Sequence, residues 1–281
     1  MLLRLAHHRV ESASLSSPYP TILRSPPPVP HSRQPTAHIV IIGNEVLSGK
    51  VRDANGPFLL QRLRQIGLRC TALSVIPDVE ETIAATIRDA ADAVDWVFTT
   101  GGVGPTHDDV TMKSVAMAFD LPLREHETFA AFLKSHPTRG DSPERLRMAQ
   151  VPAGAHVDLS GVFPQVRVRN VWIFPGVPKL LQRKFELVAP LLGGVPMHCS
   201  AVYSSLSESH IARRLEAVVE AWPGVEVGSY PQWLDSGYRV LITLESLDED
   251  SLRGARNQLV DSLSEEELIE VLESYHPEDL K

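Results

Sequence analysis

Thr99-Thr100-Gly101-Gly102-Val103-Gly104-Pro105-Thr106-His107-Asp108-Asp109-Val110-Thr111 joins an apolar run to an amphipathic one. The apolar run Trp96-Val97-Phe98 before it reads as a strand, and Met112, Val115, Ala116 and Phe119 after it recur at helical spacing. The stretch is therefore a strand-to-helix turn. Gly101, Gly102 and Gly104 keep side chains off the backbone, and amides that open a helix lack intrahelical partners, so the turn suits a phosphate. Asp108 and Asp109 at its far end would repel a bare phosphate unless a divalent cation lay between them. A second reading stands beside this one. Thr106 with Asp109 fits a capping box, Asp108 complements the helix dipole, and the glycines make a tight turn without a ligand. No lysine follows as in a P-loop, and Gly102-Val103-Gly104 lacks the third Rossmann glycine, which argues against an ordinary ATPase or a nicotinamide enzyme.

Upstream, His38-Ile39-Val40-Ile41-Ile42 is a buried strand of the parallel kind, and Gly43-Asn44-Glu45 turns off its carboxyl end. Asn55 reads as the cap of a helix with Pro57 in its first turn, an apolar stripe of Leu59, Leu60 and Leu63, and an end near Gly67. Leu68 to Ile76 is a second strand. Asp78 with Glu81 reads as a capping box opening a helix that buries Ile83, Ala84 and Ile87. This alternation implies parallel strands with right-handed crossovers in a three-layer αβα domain over residues 38–195. In such sheets ligands bind outside the carboxyl ends of the strands, where Glu45, Asp78 and the Gly101–Asp109 turn all fall. Phe174-Pro175-Gly176-Val177-Pro178, after the apolar Val171-Trp172-Ile173, either adds a fourth loop to this rim or is a rigid turn before a helix at Leu180.

Phe129, Phe132 and Leu133 mark another helix, and Ser135 to Pro143 a loop. His126 and His136 read as surface residues. Arg145 and Arg147 read either as a solvated helix face or as groups that meet a phosphate from the far side. Residues 196–281 read as a small α+β domain. It holds a strand at Ser200–Tyr203, a helix from Ser207 to Glu220, a strand end at Val225–Val227, an alternating strand at Tyr238–Leu244 and a closing helix from Asp248 to Leu263. The Glu265-Glu266-Glu267 run and the tail beyond read as solvated. Gly228-Ser229-Tyr230-Pro231 favours a tight turn over an aromatic that stacks on a nucleobase.

With 281 residues, 43% hydrophobic and 22% charged, the composition is that of a globular protein with one large and one small domain. The net charge of −8 argues against nucleic acid or an anionic membrane as a partner. Cys70 and Cys199 have no metal-ligand spacing, and no disulfide is expected. Residues 1–37 carry Arg4, Arg9, Arg24 and Arg33 against the single acid Glu11, with a proline-rich run from Ser25 to Pro30. They read as a disordered tail or an organellar transit peptide, so the compartment is the cytoplasm or the mitochondrion. A chain beginning at Ala37 is expected to keep its stability.

The motif from Gly101 to Thr111 closely resembles the signature of the molybdopterin-binding-like domain found in competence/damage-inducible protein A and at the N-terminus of animal FAD synthase. Gly43-Asn44-Glu45-Val46-Leu47-Ser48-Gly49, Asp53-Ala54-Asn55, Val75-Ile76-Pro77-Asp78, Phe174-Pro175-Gly176-Val177-Pro178 and Gly228-Ser229-Tyr230-Pro231 extend the resemblance over about residues 38 to 245. Val168–Gly176 and the Gly-Ser-Tyr-Pro run look more like the FAD synthase branch.

The resemblance implies a dinucleotide diphosphatase that hydrolyses FAD to FMN and AMP, or ADP-ribose, with a divalent metal (cobalt, manganese or magnesium) and potassium. It implies Asp108, Asp109 and Glu45 as catalytic residues and Asp108, Asp109 and Asp78 as metal ligands. Gly101, Gly102, Val103, Gly104, Thr106 and Thr111 then bind phosphate, and Asn44, Asp53, Asn55, Pro175 and Gly176 complete the rim. A homo-oligomer is expected. Many relatives carry aspartate at Asn44 and threonine at Ala54, and if that aspartate is a ligand, activity here is weakened. The chain stops short of the FAD-synthesising and amidase domains of these relatives, so neither FAD synthesis nor nucleotide deamidation is expected. Two alternatives remain, a molybdopterin-binding protein of molybdenum-cofactor biosynthesis and a non-catalytic nucleotide or pterin sensor.

Overall fold

The computed structural model describes residues 33–135, 142–159, 163–232 and 237–275. The basic segment before residue 33, His136 with most of its loop, and the end of the acidic tail lie outside these ranges.

The elements of the larger unit follow the chain as β1 (Thr36–Ile42), α1 (Asn44–Leu47), α2 (Asn55–Gln65), β2 (Arg69–Ile76), α3 (Glu80–Ala93), β3 (Trp96–Thr100) and α4 (Thr111–Ala118). Next come β4 (Leu123–Glu125), α5 (Glu127–Ser135), α6 (Pro143–Leu146), β5 (Gln150–Pro152), β6 (His156–Asp158), β7 (Gln165–Val168), β8 (Val171–Phe174) and α7 (Pro178–Val188). The main sheet has the order β2-β1-β3-β8-β7-β6, parallel from β2 to β8 and antiparallel at β7 and β6. Successive residues of a strand face opposite sides. Ile39 and Ile41 thus pack with Leu59, Leu63, Leu181 and Phe185 of α2 and α7, while Val40 and Ile42 pack with Ile83, Ile87 and Val115 of α3 and α4. Burial on both faces is why β1 reads as an unbroken apolar run. The result is the expected three-layer α/β domain with a mostly parallel sheet. Leu60 departs from its expected stripe and is 41% exposed, because it lies on the outer side of α2.

The smaller unit contains β9 (His198–Ser204), α8 (Glu208–Ala221), β10 (Glu226–Pro231), β11 (Val240–Ser246), α9 (Glu249–Asp261) and β12 (Leu268–Leu272). Its sheet runs β10-β11-β9-β12, all antiparallel. Three expectations change here. Gly228-Ser229-Tyr230-Pro231 is no turn; it forms edge strand β10, whose Tyr230 pairs with Leu241, and an edge tolerates Pro231. β11 does not alternate, because helices cover one face and Tyr275 with its neighbours the other, leaving Val240 to Leu244 all buried. The chain beyond the acidic run returns as β12, and Glu267 pairs with Arg214.

The start of the fold also moves. Thr36 and Ala37 belong to β1, and the Asp95 carboxylate accepts from Arg33, from the Thr36 amide at 2.8 Å and from the Thr36 hydroxyl at 2.8 Å. Cys70 and Cys199 are free thiols. Among the described residues no helix is long and apolar enough to cross a membrane.

Candidate functional site

Four loops meet at the carboxyl ends of β1, β2, β3 and β8. The glycine turn packs directly on the end of β1, since a side chain at Gly101 would collide with the Ile42 carbonyl. Gly101 has φ +107° and Gly102 φ +60°, conformations that L side chains rarely adopt. Gly176 approaches from the other side, leaving only van der Waals space above Gly101. Glycine is needed here for close loop packing as well as for any ligand. The Gly102, Val103 and Gly104 amides make no hydrogen bond among the described residues. They are donors held ready on a fixed backbone.

A buried polar latch lies under this turn. The Asn55 side-chain amide donates to the Thr100 hydroxyl at 3.0 Å and to the Gly176 carbonyl at 2.8 Å, and Thr100 donates to the Pro175 carbonyl at 3.0 Å. Asn55 therefore does not cap α2. Asp53 does, accepting from the Asn55 amide at 2.9 Å and the Gly56 amide at 3.1 Å. The Pro175–Gly176 loop joins the rim and is also the turn into α7, so both of its readings hold. The role of Thr100 was missed, although two threonines closing the apolar Trp96–Phe98 run were a visible signal.

The acidic residues divide into two groups. Asp78 does not cap α3, whose N-terminus at Val79 has no side-chain cap; it accepts from the Asn44 amide at 2.8 Å and so fastens the loop after β1 to that after β2. The Glu45 carboxylate folds back over Gly43. On the other side, Asp109 accepts from the Thr106 amide at 2.8 Å. Helix α4 starts only at Thr111, so the Thr106–Asp109 pair closes a turn within the loop instead of capping the helix. Thr111 is buried and donates to the Gly101 carbonyl at 2.8 Å, which makes it a support of the turn and not a group facing ligand. Among the described residues no three His, Cys, Asp or Glu side chains gather into a metal cluster, so the expected set of Asp108, Asp109 and Asp78 or Glu45 is not assembled.

Asp108 and Asp109 nevertheless converge. Carboxylate oxygens of both lie 2.5 Å from the Thr106 hydroxyl, which has one proton to give. The Thr106 hydroxyl, assisted by a backbone amide, holds the Asp108 carboxyl below the usual carboxylate range. Two carboxylates sharing one donor fit a hard divalent cation, which takes one or two such ligands and completes its shell with water and phosphate oxygens. Arg147 donates to the Pro105 carbonyl at 3.2 Å, which sets one of the two ambiguous arginines against the signature turn. His126 is half-buried, and its ring nitrogen accepts from the Phe129 amide at the start of α5.

These features define an αβα protein whose candidate site lies where four loops close over the carboxyl edge of a parallel sheet. Residues 38–194 match the probable molybdopterin binding domain, and residues 196–272 match the middle domain of FAD synthase. The chain belongs to the molybdopterin-binding domain family. It is 33% identical over 272 residues to a probable FAD synthase of Caenorhabditis briggsae, an alignment covering 86% of this chain and 52% of that protein. It is 31% identical over 229 residues to a protein of Archaeoglobus fulgidus, covering 81% of this chain and 97% of that one. The chain thus spans about half the length of the FAD synthase relative. The crystal structure of a CinA protein from Thermoplasma acidophilum superposes with a TM-score of 0.53 at 29% identity, over 57% of this chain and 99% of that one.

Proposed function

We propose that this protein is a divalent-metal-dependent nucleotide diphosphatase that hydrolyses FAD to FMN and AMP, or cleaves ADP-ribose. The observation that carries this reading is the pairing of three free amides, at Gly102, Val103 and Gly104, with two carboxylates that converge on Thr106. The amides hold non-bridging phosphate oxygens, and each donor so placed contributes about 3 kcal/mol at a developing charge. Asp108 and Asp109 would hold a divalent cation, which would supply charge neutralisation of the diphosphate and a more acidic water. Water adds to one phosphorus and releases a proton to solvent, the bridging P–O bond breaks, and the second phosphate leaves with the electron pair. The Asn55 latch keeps the amide turn and the Pro175–Gly176 loop in fixed relation during this step. The name borne by the Caenorhabditis relative and the match to the FAD synthase middle domain support a flavin dinucleotide as substrate.

The test is release of AMP and FMN from FAD by the purified protein. Turnover is expected with cobalt, manganese or magnesium and is expected to stop with chelator. Metal-independent turnover overturns the mechanism. The match of residues 38–194 favours a second reading, molybdopterin binding in cofactor biosynthesis. Co-purified pterin without FAD cleavage under any metal would select it.

A further inference from the structure

A groove of about 1050 Å³ separates the two units at the end of α2 remote from the glycine turn. Helix α2 has 11 residues and so extends about 15 Å from the rim at Asn55. Arg62 and Arg64 stand in its last turn, on one wall. Arg253 and Arg256 stand on the other, three residues apart on α9 and hence on one face. Four arginines from two domains therefore line one groove, together with Glu249 and Glu273, in a chain of net charge −8.

Their partners differ. On the α2 wall, Arg62 bonds Glu186 at 2.6 Å, and Arg64 bonds Glu245, which is 12% exposed and also accepts from the Tyr275 hydroxyl at 2.7 Å. On the α9 wall, Arg256 is 14% exposed and, among the described residues, its ion pair is with Glu273 at 3.9 Å, a carboxylate that is 84% exposed. Arg253 pairs with Asp250, which is 80% exposed. Ion pairs to such water-facing carboxylates are weak, so exchanging them for an anionic ligand costs little. Between the walls, Met197, Leu252 and Tyr275 supply the apolar part of the lining, beside Gln65, His198 and Glu249; Leu252 is 5% and Tyr275 6% exposed. A planar fork beside an apolar lining matches phosphate carried on an aromatic ring, and a junction between domains is a common place for such a pocket.

We infer that this groove is a second ligand site, which takes a nucleotide whose phosphate is held by Arg253 and Arg256 while its base lies over Met197, Leu252 and Tyr275. The ligand binds the folded small unit and not the unfolded chain, and so stabilises it. This inference does not rest on the diphosphatase reading.

The experiment titrates AMP into the full chain by calorimetry in the presence of chelator, with inorganic phosphate as comparison. AMP is expected to bind and to raise the melting temperature, with inorganic phosphate at least about tenfold weaker. Arg256→Gln and Arg253→Gln, each checked for a native circular dichroism spectrum, are expected to weaken AMP about tenfold, while Asp108→Asn leaves it unchanged. Absence of AMP binding, equal affinity for inorganic phosphate, or unaltered affinity in folded Arg253→Gln and Arg256→Gln proteins overturns the inference. Loss of AMP binding in Asp108→Asn also overturns it, by moving the ligand to the glycine turn. FAD hydrolysis measured on the same proteins reports on the diphosphatase separately.

Discussion

The Asn55 side-chain amide donates to the Gly176 carbonyl at 2.8 Å, joining the first turn of α2 to a loop 121 residues later in the chain. The same group holds Thr100, so one buried side chain sets the spacing between α2, the end of β3 and the loop after β8. Its remaining oxygen has no partner among the described residues. Asn55→Ala removes both bonds and leaves the Gly176 carbonyl without its donor. A loss of about 1–3 kcal/mol is expected in urea unfolding. FAD turnover is expected to fall further than the loss of folded protein accounts for, because the Pro175–Gly176 loop no longer seats against Gly101.

Asp95 anchors the beginning of the fold. Burial pushes its carboxyl up, but hydrogen bonds from Arg33 and Thr36 outweigh burial and hold it below the usual carboxylate range. A depressed carboxyl contributes stability that is present above the unfolded-state pKa of about 3.9 and is lost as pH falls through the folded value. Asp95→Asn is therefore expected to lower stability at neutral pH and to flatten the loss below about pH 4, measured by denaturant titration across that range. A chain beginning at Ala37 lacks Arg33 and Thr36 and is expected to behave like the variant, contrary to what the sequence suggested.

The main sheet was legible because its strands are covered on both faces, so Ile39 to Ile42 and Trp96 to Phe98 carry unbroken apolar runs between clear turn signals. The small domain was less so. β12 has only half-buried or exposed residues at a sheet edge and follows three glutamates, so nothing in its pattern distinguishes it from a solvated tail. The rim residues were legible by type but not by partner. Asn55 and Asp53, two residues apart, are both good caps, and only the position of the Gly176 carbonyl decides that Asp53 caps while Asn55 reaches inward. Arg147 looks like any surface arginine until β5 and its approach place it beside Pro105.

Lys184 gives a pH signature unrelated to the rim. The residue is 4% exposed, and its amine donates to Gln165 at 3.2 Å and to the Pro164 carbonyl and lies over the Phe163 ring. Burial pushes its pKa down to about 7, against the pull of Asp158. In the unfolded chain the amine titrates near 10.4, so between about pH 7 and 10 the unfolded state binds the extra proton and stability rises with pH. Lys184→Met is expected to remove that rise and to be more stable than the parent near about pH 6, where the parent must bury a charge. Urea unfolding at both ends of the range decides it; equal slopes in parent and variant count against a buried amine.

Metal binding and turn closure at Asp108 and Asp109 give different patterns of mutant behaviour. Asp109 accepts the Thr106 amide at 2.8 Å, and asparagine keeps a carbonyl oxygen for that bond, so Asp109→Asn is expected to fold with little loss of stability. Asp108 is exposed and its carboxylate meets Thr106 through one hydroxyl, so Asp108→Asn is expected to be nearly silent in unfolding. Each variant removes one of the two negative oxygens beside Thr106 that would hold a hard cation. Each is therefore expected to lose at least about tenfold in FAD turnover, equivalent to about 1.4 kcal/mol of barrier, and to need more metal for half-maximal activity. If the pair only shapes the turn, Asp109→Ala loses about 1 kcal/mol of stability while both asparagine variants keep full metal-dependent turnover. That outcome would move the cation across the rim to Glu45 and Asp78, where Asp78→Asn becomes the informative variant, because it retains an acceptor for the Asn44 amide while removing the charge.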